Sequence, residues 1–490
     1  MLVNFISKPN TVKISSIKSK FHSLMPSEHR IVFVKNTNQK PLSQHCLIEN
    51  VGEQIDVSEY LSFKTGKYLG TISCMNNLLF DETKGENISP LIYNKSTRKL
   101  SNGYFVISRN ASLGKIAYVK SDKEIILNGG ISFLKFNPEF EFYAPAFFIT
   151  KYGADYLVCL TSGGGTQQNA KREILLSVPI PHPTLKNHKQ PVDVIKFVSI
   201  IVQNILDKEI QLKRKSELID ESINSELLSS KTKQNKIAFP KLSELKFNQS
   251  RLDTGLYNEK YKNVISVIEK YPNGFYKISS LKHKWVSGCT PESFIENELG
   301  NYWWIAVADL SFGLYYKHIK KFLVKSPIQN IVKDGDILIT RKGATVGKLN
   351  LFFEQDNLLA FVNEDLKVLR IEADLFQKIF IGLFLNNHHG QTQLLNKGSK
   401  GTKQGLTNPN IIDCIVPNFP NELKKKISKE YYNPLSPNKN LSLETYLSSE
   451  KKRNIELGIF QLNMEVLMLR NKLAIIVDKI IKEEKIDIEF

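Results

Sequence analysis

Two stretches decide the fold: "GYFVISRNASLGKIAYV" at residues 103–119 and "GDILITRKGATVGKLNLF" at 335–352. The later stretch has the outline of a phosphate loop, whose G-x-x-x-x-G-K-[ST] pattern wraps backbone N–H groups around phosphates and holds magnesium through its hydroxyl. Gly343 and Gly347 enclose only three residues, and Leu349 follows Lys348 where Ser or Thr is required. The earlier stretch is one residue shorter and has no glycine before Ala111. Neither binds nucleotide that way. Each reads instead as a β-hairpin: "YFVISR" or "DILITR" ends at an arginine, a glycine turn follows, and "KIAYV" or "KLNLF" returns.

The two stretches are copies of one another. Gly103 pairs with Gly335, Ser108 with Thr340, Arg109 with Arg341, Gly114 with Gly347 and Lys115 with Lys348. Downstream, "IILNGGISFLKFNPE" (125–139) lies over "LAFVNEDLKVLRIEAD" (359–374), with Asn128 opposite Asn363. "GGGTQQNAKREILLSVPIPHP" (163–183) lies over "GSKGTKQGLTNPNIIDCIVPNFP" (398–420), with Pro181 opposite Pro417. Three blocks in one order, at offsets of 232 to 236, make the chain a tandem duplication of diverged α/β (α+β) units. "AFFITKYGADYLVCL" and "DLFQKIFIGLFLNNHHGQTQLL" predict helices from their apolar spacing. A Gly/Thr/Gln loop and a short proline-ended strand then follow in both copies.

After the second unit, Ile455, Ile459, Leu462, Val466, Leu469, Leu473, Ile476 and Ile480 step by four and three. That is the seam of a coiled coil. After the first unit, Pro191 suits a helix start, and Val198, Ile201, Ile205, Leu212 and Ile219 fit one seam that Lys208 and Lys215 interrupt. The two helices are expected to pair with each other, antiparallel, with the units at opposite ends. The 26 residues from Ile455 to Ile480 span ~39 Å at 1.5 Å per residue, against ~34 Å for one turn of B-DNA. The expected boundaries are 1–185 and 186–230 for the first unit and its helix, and 235–425 and 440–490 for the second.

Composition narrows the class. The 490 residues carry 67 Lys+Arg against 49 Asp+Glu, a net +18, which points to a polyanionic partner. The longest apolar runs fall far short of the ~20 residues of a spanning helix, and the first residues lack the pattern of a secretory leader. Cys46, Cys74, Cys159, Cys289 and Cys414 form no CxxC pair, so neither a disulfide framework nor a zinc site is indicated. A reduced, cytoplasmic setting is expected. No metal ligand set and no catalytic residue is identified: an adenine methyltransferase tetrapeptide [DN]-P-P-[YFW] is absent, and "EDLK" (364–367) is only a faint nuclease hit.

The ordered set "RLDTGLYNEKY" (251–261), "SGCTPE" (287–292), "YWWIAVADL" (302–310), "VKDGDILITRKGATVGK" (332–348), "FVNEDLKVL" (361–369) and "LLNKGSKGTKQGLT…IIDCIVP" (394–417) resembles a target recognition domain of the specificity subunits of type I restriction–modification systems. The first unit carries this signature only in its last 80 or so residues, and Glu364 stands where the family usually has Gln. The resemblance implies two recognition domains, each followed by a long helix, the helices forming an antiparallel coiled coil. It implies a non-catalytic reader of an asymmetric bipartite DNA site. Two modification subunits would methylate adenine N6 with S-adenosylmethionine, and a restriction–translocase subunit using ATP and Mg would join for cleavage. The chain itself would bind no cofactor. An alternative is a degenerate scaffold or regulatory protein of the same fold that binds the methyltransferase without reading a bipartite site.

For DNA contact, Arg109, Lys115, Arg341, Lys342 and Lys348 flank the hairpin tips, where arginine reads guanine and lysine anchors phosphate. Arg109 and Arg341 equally suit pairing with an internal acid. Lys397, Lys400 and Lys403 sit among glycines whose N–H groups can approach a phosphate, and Gln167, Gln168 and Gln404 suit adenine. Trp303 and Trp304 are expected in the core.

Overall fold

A computed structural model describes residues 5–7, 11–14, 29–161, 169–228, 254–291, 294–296, 299–311, 313–325, 328–355, 358–398, 405–439 and 441–490. The chain forms two compact units: Met1–Ile210 with Ser436–Ile455 and Met468–Phe490, and Gln211–Leu435 with Glu456–Leu467.

The quoted hairpin lies inside a four-stranded antiparallel sheet in each unit. In the first unit its order is Cys46–Val51, Ile131–Phe136, Phe105–Ser108, Ile116–Tyr118. In the second it is His283–Ser287, Leu366–Ile371, Ile337–Thr340, Leu349–Leu351. Phe105–Ser108 and Ile337–Thr340 are buried along their whole length, so both faces of these strands are covered. This explains their unbroken apolar runs.

A second sheet repeats as well. Glu124–Leu127 pairs in parallel with Lys67–Gly70, which is followed by Glu86–Ile88 and Tyr60–Leu61 in antiparallel order. Leu359–Val362 pairs in parallel with Tyr302–Ile305, followed by Lys321–Val324 and Phe294–Glu296. A third, two-stranded sheet joins Pro179–Pro181 to Gln39–Pro41, and Ile415–Pro417 to Phe275–Lys277. The sequence signature covers only the last part of the first unit, yet the strand order repeats from residue 39 onward. Strand positions ask only for residues that fit a pleated, half-buried surface, so identity drifts there while pairing persists. Trp303 is fully buried, with its ring 4.8 Å from Tyr316 and 5.8 Å from Phe352; Trp304 is partly buried beside Phe322.

The helices depart from the expected single seam. Helix Pro191–Leu228 is continuous, with Ile205, Leu212 and Ile219 buried. The C-terminal segment is two helices, Tyr446–Glu456 and Ile459–Lys482. Ile459, Leu462, Val466, Leu473, Ile476 and Ile480 are buried and Leu469 is partly so, but Ile455 sits on the shorter helix and is 54% exposed. Ile455 is therefore no part of the seam. The break falls at Gly458, where a Cβ would lie 2.5 Å from the backbone of Asn433 and Tyr431, so only glycine lets the chain pass.

In the first unit the short helix runs in the same direction as the long one, through Lys196–Glu444 (3.2 Å) and Lys208–Glu450 (3.1 Å). The C-terminal helix runs the opposite way. Arg470 pairs with Glu209 at 2.7 Å, while Asn36 bonds both the Ile480 carbonyl and that of His182, just ahead of the long helix. Lys208, which interrupts the apolar seam in sequence, is buried and donates to Glu450 and to Asn454 (2.6 Å). Asn204 accepts from Asn454 (3.0 Å) and donates to the Tyr446 hydroxyl (2.8 Å). In the second unit Lys215 is likewise buried and pairs with Glu430 at 2.6 Å.

A further buried polar contact pins the start of the long helix. His45 and His182 are both buried, with their Nε2 atoms 2.8 Å apart. His45 Nδ1 faces the Pro41 carbonyl at 3.0 Å, which makes Nδ1 the protonated atom and leaves Nε2 to accept from His182. Burial pulls His182 down to about 4, aided by His45 and Lys40, and burial also lowers His45.

Two outcomes are expected. Lys208→Met removes one of the two cations on buried Glu450, the other being Arg453 at 3.1 Å, and should cost about 1–3 kcal/mol in denaturant unfolding. Lys208→Met with Glu450→Met and Arg453→Met should cost clearly less than the sum of the three single changes. Because the folded state depresses both histidines, the stability they contribute is present above the unfolded pKa of about 6.5 and is lost as pH falls toward 4. The melting temperature should drop across that window, and His182→Gln should flatten the drop.

Candidate nucleic-acid interface

Each hairpin strand ends in a turn that demands glycine. In the first unit Ser108 N–H donates to the Lys115 carbonyl (2.9 Å) and Gly114 N–H to that of Ser108 (2.9 Å). In the second, Thr340 N–H donates to Lys348 (2.8 Å) and Gly347 N–H to Thr340 (3.1 Å). Gly114 and Gly347 have φ of 71° and 83°, and Gly103 and Gly335 at the strand entries have 84° and 77°. The paired glycines therefore share a left-handed backbone that side chains disfavour. A strand, Ile116–Tyr118 or Leu349–Leu351, follows each turn where a phosphate loop would open a helix.

The two arginines do the same job in both units. The Arg109 carbonyl accepts from Ala170 N–H (2.8 Å), while its guanidinium donates to the carbonyls of Ala170 (3.3 Å) and Gly129 (2.6 Å). The Arg341 carbonyl accepts from Leu406 N–H (2.9 Å), and its Nε donates to the Leu406 carbonyl (2.9 Å). Both clamp the residue that follows the Gly/Thr/Gln loop. Their hydrogen-bond acceptors among the described residues are backbone carbonyls, and for Arg109 the acids Glu49 and Glu173 act at longer range. Burial lowers the Arg109 pKa, with Glu49 and Glu173 opposing it.

The lysines divide. Lys348 is buried and donates to the Leu310 carbonyl at 3.0 Å, and burial, then Lys317, lowers its pKa. Lys115 is partly buried and donates to Asn76 at 3.2 Å. Lys397 donates to both the carbonyl and carboxylate of Asp413, each at 2.7 Å, so its charge is met within the fold. Burial pushes Asp413 up, but Lys277 and Lys397 together hold it below the usual carboxylate range. Lys342 is exposed at the hairpin tip. Gln167, Gln168, Lys400, Lys403 and Gln404 lie outside the described residues.

What the structure gathers at one end of each principal sheet is three loops and the first described residue after the Gly/Thr/Gln stretch. The hairpin tip (109–114 or 341–347) meets the residue closing the Gly/Thr/Gln loop through the bridges Asn110–Asn169 and Lys342–Gly405. The turn at Asn128 or Asn363 crosses the loop after the edge strand so closely that a Cβ at Gly52 would lie 2.3 Å from the Asn128 carbonyl oxygen, and one at Gly288 1.9 Å from that of Asn363. Gly52 went unmarked by any motif; its signal is the "VGE" at 51–53 that faces "SGC" at 287–289 with the same offset of 236. The Asn110 and Asn363 side-chain oxygens are buried here without a hydrogen-bond partner among the described residues. Exposed around the set are Lys171 in the first unit and Lys342, Glu364 and Asp365 in the second. No group of three His, Cys, Asp or Glu among the described residues could hold a metal ion, and no described helix is long and apolar enough to cross a membrane.

Adjacent arginine and lysine should separate cleanly by mutation. Arg341→Ala strands the Leu406 carbonyl and should cost about 1–3 kcal/mol, while Lys342→Ala should stay within about 0.5 kcal/mol of wild type. Denaturant midpoints of the two variants check this.

No protein-family model matches the chain, and no curated protein matches it. Among solved structures, the chain is similar to the S subunit of a type-I restriction-modification system from M. genitalium, at 12% identity and a TM-score of 0.44 over 93% of this chain and 97% of that one. It is also similar to a chain from a structure of type I R-M complex assembly and conformational transition, at 16% identity and a TM-score of 0.29 over 92% and 98%. A third is the HsdS subunit from Thermoanaerobacter tengcongensis, at 14% identity and a TM-score of 0.26 over 91% and 96%.

Proposed function

We propose that this chain is the DNA-recognition subunit of a type I restriction–modification assembly. The observation that carries the proposal is internal: one chain holds the same three sheets twice, with the hairpin tip, asparagine turn and edge-strand loop in the same places, and with different residues in the loop sequences of each copy. Two related but unequal readers in one polypeptide suit an asymmetric, bipartite target. The net charge of +18 suits a polyanion. The first unit, whose sequence divergence favours the degenerate-scaffold alternative, retains every sheet of the second, and this weighs toward two working readers.

In this reading the recognition domains are 1–185 and 235–425, with the spacer helices in 186–230 and 440–490. The chain is not itself an enzyme. It directs partners: two methyltransferase subunits that use S-adenosylmethionine on adenine N6, and restriction–translocase subunits that use ATP and Mg. Arg109 and Arg341 hold backbone carbonyls at the loop set, and Lys348 holds that of Leu310. Lys342 and the Gly/Thr/Gln loops, with Gln167, Gln168, Lys400, Lys403 and Gln404, are the proposed contacts.

Co-expression with the methyltransferase in a host lacking adenine methylation, followed by sequencing that detects N6-methyladenine, tests the proposal. A gapped, asymmetric motif that disappears without this chain is the expected result. An active, co-purifying methyltransferase with no such motif would overturn it in favour of the scaffold.

A further inference from the structure

A basic segment of the first unit, marked by no motif, lies against the loop set. Residues 94–99, "NKSTRK", leave helix Pro90–Lys95 and lead toward strand Phe105–Ser108. Lys95, Arg98 and Lys99 are all exposed. The segment is tied to the loops at three points. Arg98 Nη1 donates to the carbonyls of Val51 (3.1 Å) and Gly52 (3.2 Å), at the crossing with Asn128. The Ser96 hydroxyl donates to the Glu53 carboxylate, and Lys99 bridges to Ile126, two residues before the Asn128 turn.

The cations are held and mostly uncompensated. Lys99 Nζ lies 4.8 Å from the centroid of the nearly buried Tyr93 ring, which orients the ammonium without neutralising it. Lys67 approaches the same ring at 4.9 Å, but its charge is met by Glu124. Lys95 and Lys99 make no ion pair among the described residues. Glu53, held by the Ser96 hydroxyl next to the Gly52 carbonyl that Arg98 contacts, places a negative charge beside the segment, so three cations stand against one adjoining carboxylate. Arg98 spends one nitrogen on carbonyls and keeps the rest of its fork.

The described counterparts of Arg98 and Lys99 in the second unit carry no charge. Leu100 N–H bonds the Ile125 carbonyl as Val332 N–H bonds that of Ala360, both at 2.9 Å, which places Asn330 and Ile331 where the first unit has Arg98 and Lys99. A cationic edge fixed beside the first unit's loops matches the chemistry of a phosphodiester backbone. We propose that Lys95, Arg98 and Lys99 anchor DNA phosphates beside the first unit's loops, an inference that rests on the DNA-reading function above. Such contacts set position and carry no sequence information.

The test uses the full-length chain and fluorescence anisotropy on labelled duplexes of several unrelated sequences, across a KCl series. Lys95→Ala with Lys99→Ala should weaken binding by a similar factor on every duplex. It should also lower the slope of log affinity against log salt by roughly one to two. Lys95→Arg with Lys99→Arg should keep the wild-type slope, and unchanged melting temperatures exclude a folding defect. An unchanged slope and affinity in the alanine variant would overturn the inference while leaving the DNA-reading function standing, as would a loss confined to particular sequences. Absence of DNA binding by the wild-type chain would overturn both.

Discussion

A guanidinium taken out of water has five N–H groups to satisfy, and the cheapest acceptors inside a protein are backbone carbonyls left over where strands end. Arg109 and Arg341 stand at such a place. By closing on Ala170 and Leu406 they fix where the chain re-enters the fold after the Gly/Thr/Gln loop. The hairpin tip, the asparagine turn and the edge-strand loop then have one position each.

Much of this was legible where residue type is forced by backbone geometry. The pairs Gly103–Gly335 and Gly114–Gly347 stand out in sequence because a left-handed turn tolerates little else. The early part of the first unit was not legible, since strands such as Cys46–Val51 and His283–Ser287 need only suitable surfaces and share almost no letters. The roles of Arg109 and Lys348 were hidden for a different reason. Their partners, Ala170 and Leu310, are supplied as carbonyls by distant residues whose side chains say nothing about the contact.

The helices show a periodic pattern overrunning a local stop. The spacing from Ile455 to Ile459 continues the seam on paper, yet Gly458 and the backbone of Asn433 and Tyr431 turn the chain there. In the first unit two helical segments, not one, therefore flank the long helix. The polar residues that interrupt its seam become the register marks: Asn204 and Lys208 accept only the alignment that brings Tyr446, Glu450 and Asn454 alongside.

The first unit is also discontinuous along the chain, since Ser436–Ile455 and Met468–Phe490 complete what Met1–Ile210 begins. On the ribosome, which releases the N-terminal end first, Val198, Ile201 and Ile205 emerge more than two hundred residues before the segments that complete their unit. The second unit can close most of its core in the meantime. Nascent chains therefore carry an open apolar stripe while the residues from 206 to 435 are made, and the order of assembly runs opposite to the order of translation: the unit begun first is the one finished last.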